Sequence, residues 1–247
     1  MKALITGASS GIGKSIAIYL SKLGYEIIAV GKDKNRLDKL KEEYGFKTIE
    51  IDLNKEENCI KLYELPKDEN IDILVNNAGF GAFGEFNSIS LEKELDMINV
   101  NIKAVHILTK LFLKDFIKKD KGYILNVASI AAFQAGPLMA TYYSSKAYVL
   151  RLTLSIYEEL RRLKSNVKVS VLCPGPVDTN FNDTANVKFK LKGTTPEYVA
   201  KYAMDQMFKN KLIIIPTLKI KLAMFFSNLV PYKLKLKIVY RLQDKKR

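Results

Sequence analysis

The sequence predicts an α/β fold with three layers, in which a doubly wound, mostly parallel sheet of seven strands carries helices on both faces. Two observations support this fold class. Short apolar runs alternate with longer stretches of helical periodicity along most of the chain. Most of the short runs are apolar at nearly every position, which is typical of parallel strands that are buried on both faces.

Seven strands and six helices follow from these patterns. The predicted strands are residues 2–6, 26–30, 47–51, 71–75, 123–128, 167–172 and 212–215. The predicted helices lie near residues 12–23, 33–44, 54–63, 91–118, 142–163 and 196–208. Ser90 precedes the fourth helix and can cap its first turn. Thr195, Pro196 and Glu197 form a strong start signal for the last helix, with an N-cap, a proline at the first helical position and an acidic residue.

Length and composition indicate one folded domain. The 247 residues are 48% hydrophobic, enough to bury a substantial core. We assign residues 1–216 to this domain and residues 217–247 to a basic, amphipathic helical extension of it. The long irregular stretch at about 174–194 has the length of a functional loop or lid. No apolar run reaches the roughly 18 residues of a membrane span, and the N-terminus does not resemble a signal peptide, so a cytoplasmic location is expected.

Cysteine and histidine are too scarce for several kinds of site. Cys59 and Cys173 are the only cysteines, so neither a disulfide framework nor a metal cluster is expected, and no metal site is predicted. His106 is the only histidine, so a Ser-His-Asp hydrolase would depend on it. It lies in a helical run, where we expect a partly buried structural histidine instead.

The net charge of +14 is concentrated near the C-terminus. Residues 209–247 contain eleven Lys or Arg and one acid, a surplus of ten positive charges. No nucleic-acid-binding motif accompanies them, so no nucleic acid partner is expected.

Within the extension, apolar residues recur at helical spacing as far as Pro231, and a basic amphipathic stretch, 232–241, follows. The residues before Pro231 are Leu218, Leu222, Phe225, Phe226 and Leu229. Two interpretations stay open. Either these helices pack over a cleft or a subunit interface, which is favoured, or they touch an anionic membrane surface, which would place the protein peripherally at the inner membrane.

The spacing of Tyr142 and Lys146 predicts an acid–base pair. Residues four apart share one face of a helix, so the Lys146 ammonium can lie near the Tyr142 phenol. A cation stabilises the phenolate and is expected to lower the pKa of Tyr142 from its usual value near ~10. Ser129 lies thirteen residues upstream of Tyr142, whereas the adjacent Tyr143 lacks both spacings.

A glycine-rich turn follows the first strand. Its glycines, Gly7, Gly11 and Gly13, allow a tight turn and a close approach of the backbone to a pyrophosphate. The helix that follows offers free N–H groups and the positive end of its dipole to such an anion. The spacing is G-x-x-x-G-x-G instead of G-x-G-x-x-G, and its place in the first strand–helix turn favours dinucleotide binding.

The end of the second strand indicates which dinucleotide is preferred. An acidic residue there would bind the ribose 2′-hydroxyl of NAD, but this strand ends at Gly31 and is followed by Lys32 and Asp33. A cation suits a 2′-phosphate, so NADP(H) is predicted as the preferred cofactor and NAD(H) as the alternative. Asp33 weakens this inference, and Lys32 could instead be a solvated surface residue.

Six motifs, in register over residues 1 to about 215, resemble those of the short-chain dehydrogenase/reductase family. They are the turn 6–13, Asn76-Asn77-Ala78-Gly79, Asn101, Ser129, the pair Tyr142 and Lys146, and Pro174-Gly175. The resemblance implies a Rossmann-like, NAD(P)-binding catalytic domain over residues 1–216.

The resemblance also implies roles for individual residues. The catalytic set is Asn101, Ser129, Tyr142 and Lys146, with Asn101 holding a water that links Lys146 to solvent and Asn99 outside the set. Lys146 would also hold the nicotinamide ribose, and Tyr142 would lie against the cofactor. The other implied cofactor contacts are Gly7, Ser9, Ser10, Gly11, Ile12, Gly13, Lys32, Asp52, Leu53, Asn77, Ala78, Gly79, Pro174, Gly175, Val177 and Thr179.

The activity implied by the resemblance is the reversible, NADPH-dependent reduction of a carbonyl to an alcohol, with Tyr142 as general acid and base. The substrate is expected to be small and hydrophobic: a 3-oxoacyl thioester, a medium-chain ketone or aldehyde, and a steroid all stay open. A homodimer or homotetramer is expected through the helices that carry Asn101 and Tyr142. The alternative is a non-catalytic NADP-binding sensor or membrane-docked regulator on the same fold, against which the intact Ser129, Tyr142 and Lys146 argue.

Overall fold

The computed structural model describes residues 1–179, 181, 193–217 and 230–244. It contains a seven-stranded sheet and eight α-helices within these residues. The strands are β1 Lys2–Thr6, β2 Glu26–Gly31, β3 Lys47–Glu50, β4 Ile71–Asn76, β5 Tyr123–Val127, β6 Lys168–Leu172 and β7 Ile213–Ile214. The helices are α1 Gly11–Lys22, α2 Lys34–Tyr44, α3 Glu56–Glu64, α4 Leu91–Ile98, α5 Val105–Lys119, α6 Ala140–Arg162, α7 Pro196–Phe208 and α8 Tyr232–Asp244.

The sheet has the order β3-β2-β1-β4-β5-β6-β7, and each neighbouring pair of strands is parallel. The chain therefore starts in the middle, builds toward β3, and then crosses back to β4. Strand order reverses between β1 and β4, and ligands of open α/β sheets bind at the carboxyl end of such a reversal. The predicted doubly wound fold is confirmed, and the sheet is parallel throughout.

Two apolar layers cover the faces of the sheet. Alternate residues of β1 point into opposite layers, with Ala3 and Ile5 on one side and Leu4 on the other. Helices α1, α2 and α7 pack against the first side, and α3, α5 and α6 against the second. In the described part of the chain, no helix has both the length and the apolar character needed to cross a membrane.

The predicted elements agree with the structure to within about two residues at their ends, apart from one helix. The predicted helix 91–118 is divided into α4, a π-helical segment Asn99–Ala104, and α5. The π-helical segment keeps the chain helical between α4 and α5 but has i→i+5 hydrogen bonds, so it divides one predicted helix into two without a break in the helical run. The two predicted caps are present: Ser90 Oγ accepts from the Lys93 N–H at 3.4 Å, and Thr195 Oγ1 accepts from the Tyr198 N–H at 3.3 Å.

Two predicted segments cannot be compared. The apolar positions from Leu218 to Leu229, and most of the loop 174–194, lie outside the described residues. The basic stretch after Pro231 forms α8, as its periodicity predicts.

A buried polar network joins the sheet to α5 and α6. Asn76 Nδ2 donates to Asn126 Oδ1 at 2.9 Å across β4 and β5, and to Thr109 Oγ1 of α5 at 3.0 Å. Asn126 Nδ2 donates to Thr153 Oγ1 of α6 at 2.9 Å, and the Thr153 hydroxyl donates to the Val149 carbonyl at 2.8 Å. Because a buried polar group that loses its partner is costly, this network fixes both helices on the sheet beneath the carboxyl ends of β4 and β5.

Replacing Thr153 with Val tests this network. The substitution keeps the shape of the side chain but leaves Asn126 Nδ2 without its acceptor, so we expect a loss of about 1–3 kcal/mol in the free energy of unfolding, measured by urea denaturation. Ser155→Ala is the control, because the exposed Ser155 makes the same kind of bond, to the Arg151 carbonyl at 3.1 Å, and should change stability by less than ~0.5 kcal/mol. Equal losses in the two variants would contradict a special role for the network.

Candidate functional site

A cavity of about 890 Å³ opens at the carboxyl ends of the strands, beside the neighbouring strands β1 and β4 where the strand order reverses. The turn after β1 borders it on one side, and Tyr142 and Lys146 of α6 border it on the other. Its size is in the range of ligand sites in proteins, and its position is the one expected for an open α/β sheet.

The glycine turn depends on two unusual backbone conformations and one close approach. Gly7 and Gly11 have φ values of +64° and +54°, a region that side chains disfavour. A Cβ at Gly13 would lie 2.3 Å from the Gly7 carbonyl oxygen, so α1 can begin this close to the turn only with glycine at that position. The spacing G-x-x-x-G-x-G thus serves the steric purpose predicted from the sequence.

Hydrogen bonds connect the glycine turn to the end of β4. Thr6 Oγ1 accepts from the backbone N–H groups of Asn77 and Ala78 at 3.0 and 3.1 Å. In the opposite direction, Asn77 Nδ2 donates to the carbonyl oxygens of Thr6 and Gly7, both at 3.1 Å. The two strand ends that border the cavity are therefore held together.

The first turn of α1 is suited to an anion. It contains no acidic residue, and the side chain of its N-cap, Ser10, makes no hydrogen bond to it. The N–H groups at the start of a helix, together with the helix dipole, favour negative charge. Ser9, Ser10 and Ile12 line the cavity at this point, so a pyrophosphate could bind there.

The ends of β2 and β3 form the next part of the wall. Lys32 is exposed and lines the cavity, and so do Asp52 and Leu53. The structure adds Arg36, which the sequence analysis missed because it lies one turn inside α2. Asp33 caps this helix by accepting from the Arg36 N–H at 3.1 Å, and it also pairs with Arg36 Nε at 3.1 Å. The Asp33 carboxylate is thereby engaged with the start of α2, and it borders the cavity together with the two cations Lys32 and Arg36.

Tyr142, Lys146 and Ser129 come together at the opposite end. Tyr142 is 9% exposed and Lys146 is 4% exposed, both on the inner face of α6. Lys146 Nζ lies 5.8 Å from the centre of the Tyr142 ring and donates to the Val127 carbonyl at 3.0 Å. The half-buried Ser129 follows β5, and its Oγ accepts from the Ala131 N–H at 3.2 Å. The predicted spacing thus places all three residues at one site.

Burial dominates the protonation of the pair. It raises the pKa of Tyr142 to about 12, although a hydrogen bond with Ser129 opposes this change. It also lowers the pKa of Lys146 to about 8. The expectation that Lys146 brings the pKa of Tyr142 below its usual value is therefore wrong for the protein in this state. The physical reason is that the loss of hydration of the buried phenolate outweighs the nearby cation.

Asn101 sits behind this group in the π-helical segment and does not line the cavity. Its Nδ2 donates to the Phe80 carbonyl at 2.9 Å and to Ser145 Oγ at 3.1 Å, while its Oδ1 accepts from the Phe80 N–H at 3.1 Å. A Cβ at Gly79 would lie 2.9 Å from Asn101 Oδ1 and 3.2 Å from Lys146 Nζ. The chain after β4 therefore passes close to both side chains, which requires glycine there. Asn99, in contrast, donates to Asn54 Oδ1 at 3.1 Å, a contact away from the site.

The segment after β6 forms the cavity wall next to the glycine turn. Pro174, Gly175, Val177 and Thr179 all line it, as predicted. A Cβ at Gly11 would lie 3.0 Å from Thr179 Cγ2, so this segment touches the glycine turn. The described parts of the loop also meet in an isolated parallel bridge between Val177 and Thr194.

An apolar wall lies next to Tyr142. Met139 and Ala131 are buried beside it, and the Phe181 ring centre is 5.3 Å from that of Tyr142. Tyr143 also lines the cavity, and Gln243 of α8 donates a hydrogen bond to its hydroxyl group. Tyr143 is the neighbour of Tyr142 that lacks the predicted spacings, whereas Ala131, Phe181 and Gln243 come from separate segments and share no spacing that could have indicated them.

The predicted site residues therefore line one cavity, except for two that do not reach its surface. Gly13 and Asn101 lie behind the lining, one packed under the turn and the other under α6. His106 lies on α5 as predicted, but the expectation of partial burial is wrong. Its ring is exposed on the outer side of the helix, with Nδ1 2.8 Å from the Tyr148 hydroxyl oxygen.

Known proteins share this sequence and this fold. The sequence model of the short-chain dehydrogenase family matches residues 1–189. An uncharacterised oxidoreductase of Staphylococcus epidermidis is 32% identical over 210 residues, which cover 83% of this chain and 90% of that protein. A 3-oxoacyl-[acyl-carrier-protein] reductase of Rickettsia prowazekii is 37% identical over 194 residues, which cover 75% of this chain and 76% of that one.

A solved structure agrees with these relatives. The short-chain dehydrogenase of Sphingobium yanoikuyae, in complex with NADPH, matches with a TM-score of 0.82 at 29% identity and covers 88% of both chains. The chain thus belongs to the short-chain dehydrogenase/reductase family and is an oxidoreductase that acts on alcohol and carbonyl groups.

Proposed function

We propose that the protein reduces a hydrophobic ketone, aldehyde or 3-oxoacyl group to an alcohol, reversibly, with NADPH as hydride donor and Tyr142 as general acid and base. One observation carries this proposal. The buried pair of Tyr142 and Lys146 shares a cavity with Ser129 and with the anion-binding start of α1. One bound dinucleotide could therefore place its phosphates at the start of α1 and its nicotinamide beside Tyr142 and Lys146.

The protonation states support reduction at neutral pH. With a pKa of about 12, Tyr142 keeps its proton and can donate it to a carbonyl oxygen as negative charge develops there. Lys146, with a pKa of about 8, is mainly an ammonium at pH 7 and stabilises the phenolate that is left. The Ser129 hydroxyl is placed to hydrogen-bond the same carbonyl oxygen.

The cofactor supplies the hydride when it is bound. The start of α1 would hold its pyrophosphate, while Asp52 and Leu53 would border the adenine. Asn77, Ala78 and Gly79 would line the adenosine side. On the nicotinamide side, the contacts would be made by Lys146, Pro174, Gly175, Val177 and Thr179.

The two cations beside the ribose position support a preference for NADP(H), with NAD(H) as the alternative. Lys32 and Arg36 both border the cavity there, and a 2′-phosphate would bring a second anionic group to them. Asp33, which could have bound a 2′-hydroxyl, is engaged with Arg36. The NADPH complex of the Sphingobium yanoikuyae relative agrees with this assignment for its own chain.

The apolar wall supports a hydrophobic substrate. Met139, Tyr143 and Phe181 present two aromatic rings and a flexible thioether beside the proposed acid. Such a surface favours carbonyl compounds with an extended hydrocarbon or aromatic part.

The role of Asn101 in proton supply to Lys146 stays a prediction, and so does assembly into a homodimer or homotetramer. The exposed side chains of Leu91 and Leu95 on α4 and of Tyr157 on α6 support association through these helices. The assignment of 217–247 to the catalytic domain is supported by two contacts of α8: Gln243 bonds to Tyr143, and the Tyr240 hydroxyl donates to Glu85 Oε1 at 3.2 Å.

Substitution of Tyr142 by Phe tests the proposed acid. NADPH oxidation with the best compound from a panel of hydrophobic ketones, aldehydes and 3-oxoacyl thioesters should fall by about 10²- to 10⁴-fold in kcat, because the proton donor is lost. NADPH binding, followed by fluorescence titration, should stay unchanged. Tyr143→Phe removes a hydroxyl from the adjacent ring and is expected to keep kcat within about tenfold of the original value. Turnover by the Tyr142 variant close to that of the Tyr143 variant would refute the assignment.

The pH profile tests the charge on Lys146. Because the pKa of this amine is about 8, kcat/KM for carbonyl reduction should be level below pH 8 and decline above it as the ammonium loses its proton. In Lys146→Arg the guanidinium stays protonated, so any residual activity should lack this decline. A profile of the unaltered enzyme that stays level to pH 10 would exclude a titrating Lys146.

Lys32→Ala tests cofactor selection. Loss of this cation should raise KM for NADPH by about tenfold, the effect of losing one charge-assisted bond, and leave KM for NADH nearly unchanged. Lys34→Ala provides the control, because Lys34 is exposed, pairs with Asp38 at 2.7 Å and does not line the cavity. A parallel rise of KM for both cofactors would point to a general defect in the turn instead of phosphate recognition.

A further inference from the structure

Among the described residues, the buried side chains of helix α8 lie on one side of it, which packs on the body of the protein. Val239 and Gln243 face inward, at 6% and 2% exposure, and Gln243 donates its hydrogen bond to Tyr143 in the cavity wall. The Tyr240 hydroxyl reaches Glu85 in the segment that follows β4. These contacts place α8 beside the cavity and define which side of it faces away.

The outward side carries two parallel rows. Leu234, Ile238 and Leu242 recur every four residues and are 51%, 43% and 57% exposed; we call them the apolar row. Lys233, Lys237 and Arg241 precede each of them by one residue and are also exposed; they form the basic row. A helix whose outer surface joins apolar and cationic rows in this way has an amphipathic character that its contacts with the body do not use.

We propose that this outward side of α8 binds the surface of an anionic phospholipid bilayer. The apolar row would enter the boundary between headgroups and acyl chains, and the basic row would meet the negatively charged headgroups beside it. The net charge of +14 of the chain adds a long-range attraction to such a surface. With 13 residues, α8 is about 20 Å long, so it would lie in the plane of the interface.

The same rows argue against other occupants. A second copy of the chain, packed on this side through a two-fold axis, would bring two basic rows toward each other. A nucleic acid would neutralise the basic row but leave the apolar row uncovered. An anionic bilayer offers an apolar region to the apolar row and negative charge to the basic row.

Vesicle co-sedimentation of the full chain tests the proposal without any substrate or cofactor. Vesicles of phosphatidylcholine alone are compared with vesicles of equal parts phosphatidylcholine and phosphatidylglycerol. We expect the protein to pellet with the anionic vesicles, to remain in the supernatant with the neutral ones, and to be released by high salt. Equal recovery in the supernatant with both kinds of vesicle would overturn the proposal.

Three variants locate the contact. Lys233→Gln/Lys237→Gln/Arg241→Gln should weaken partitioning by about fivefold for each charge removed. The matched control, Lys34→Gln/Lys39→Gln/Lys41→Gln, removes the same charge from exposed positions of α2 and should bind nearly as well as the unaltered chain. Leu234→Ser/Ile238→Ser/Leu242→Ser should also lose binding, with circular dichroism showing that the fold is kept. Equal losses for α2 and α8 charges would refute the contact, as would sedimentation velocity that shows dimers dependent on the apolar row.

Discussion

The close approach of β1 and β4 at their carboxyl ends is the constraint on which the site depends. Thr6 and Asn77 bond across the two ends, and no Cβ can be accommodated at Gly13 where α1 begins. This approach points the start of α1 at the cavity, and it places the chain after β4 against Asn101 and Lys146. One packing contact thus positions both the start of α1 and the residues around Lys146 at the cavity.

Below that contact, buried polar groups hold the helices in place. The side chains of Asn76 and Asn126 bind α5 and α6 to neighbouring strands, and Asn101 binds the π-helical segment to Phe80 and Ser145. Such bonds are directional, whereas apolar packing alone would let a helix slide along the sheet. The position of α6 on the sheet, and with it the place of Tyr142 and Lys146 at the cavity, therefore depends on polar side chains that do not line the cavity.

Much of the fold, and the grouping of Tyr142 and Lys146 at the cavity, could be predicted because both depend on local spacing. Buried parallel strands read as apolar runs, and Tyr142 and Lys146 share a helix face at any location of that helix. The π-helical segment was not predicted, since residues 99–104 contain no glycine or proline that would mark a change in the helix. Gln243 and Tyr143 are a hundred positions apart, so no pattern along the chain relates them. The pKa of Tyr142 depends on the depth of burial, which only the packed structure supplies.

The division of the cavity has an evolutionary consequence. Tyr142 and Lys146 lie on α6, and the apolar wall beside them combines Met139 and Tyr143 at the start of the same helix with Phe181 from another segment. Gln243 of α8 donates a hydrogen bond to the Tyr143 hydroxyl. A substitution at Phe181 or in α8 can therefore change the apolar wall and leave Tyr142, Lys146 and Ser129 in place. The shape of this wall can thus vary between related chains while the residues around Tyr142 stay the same.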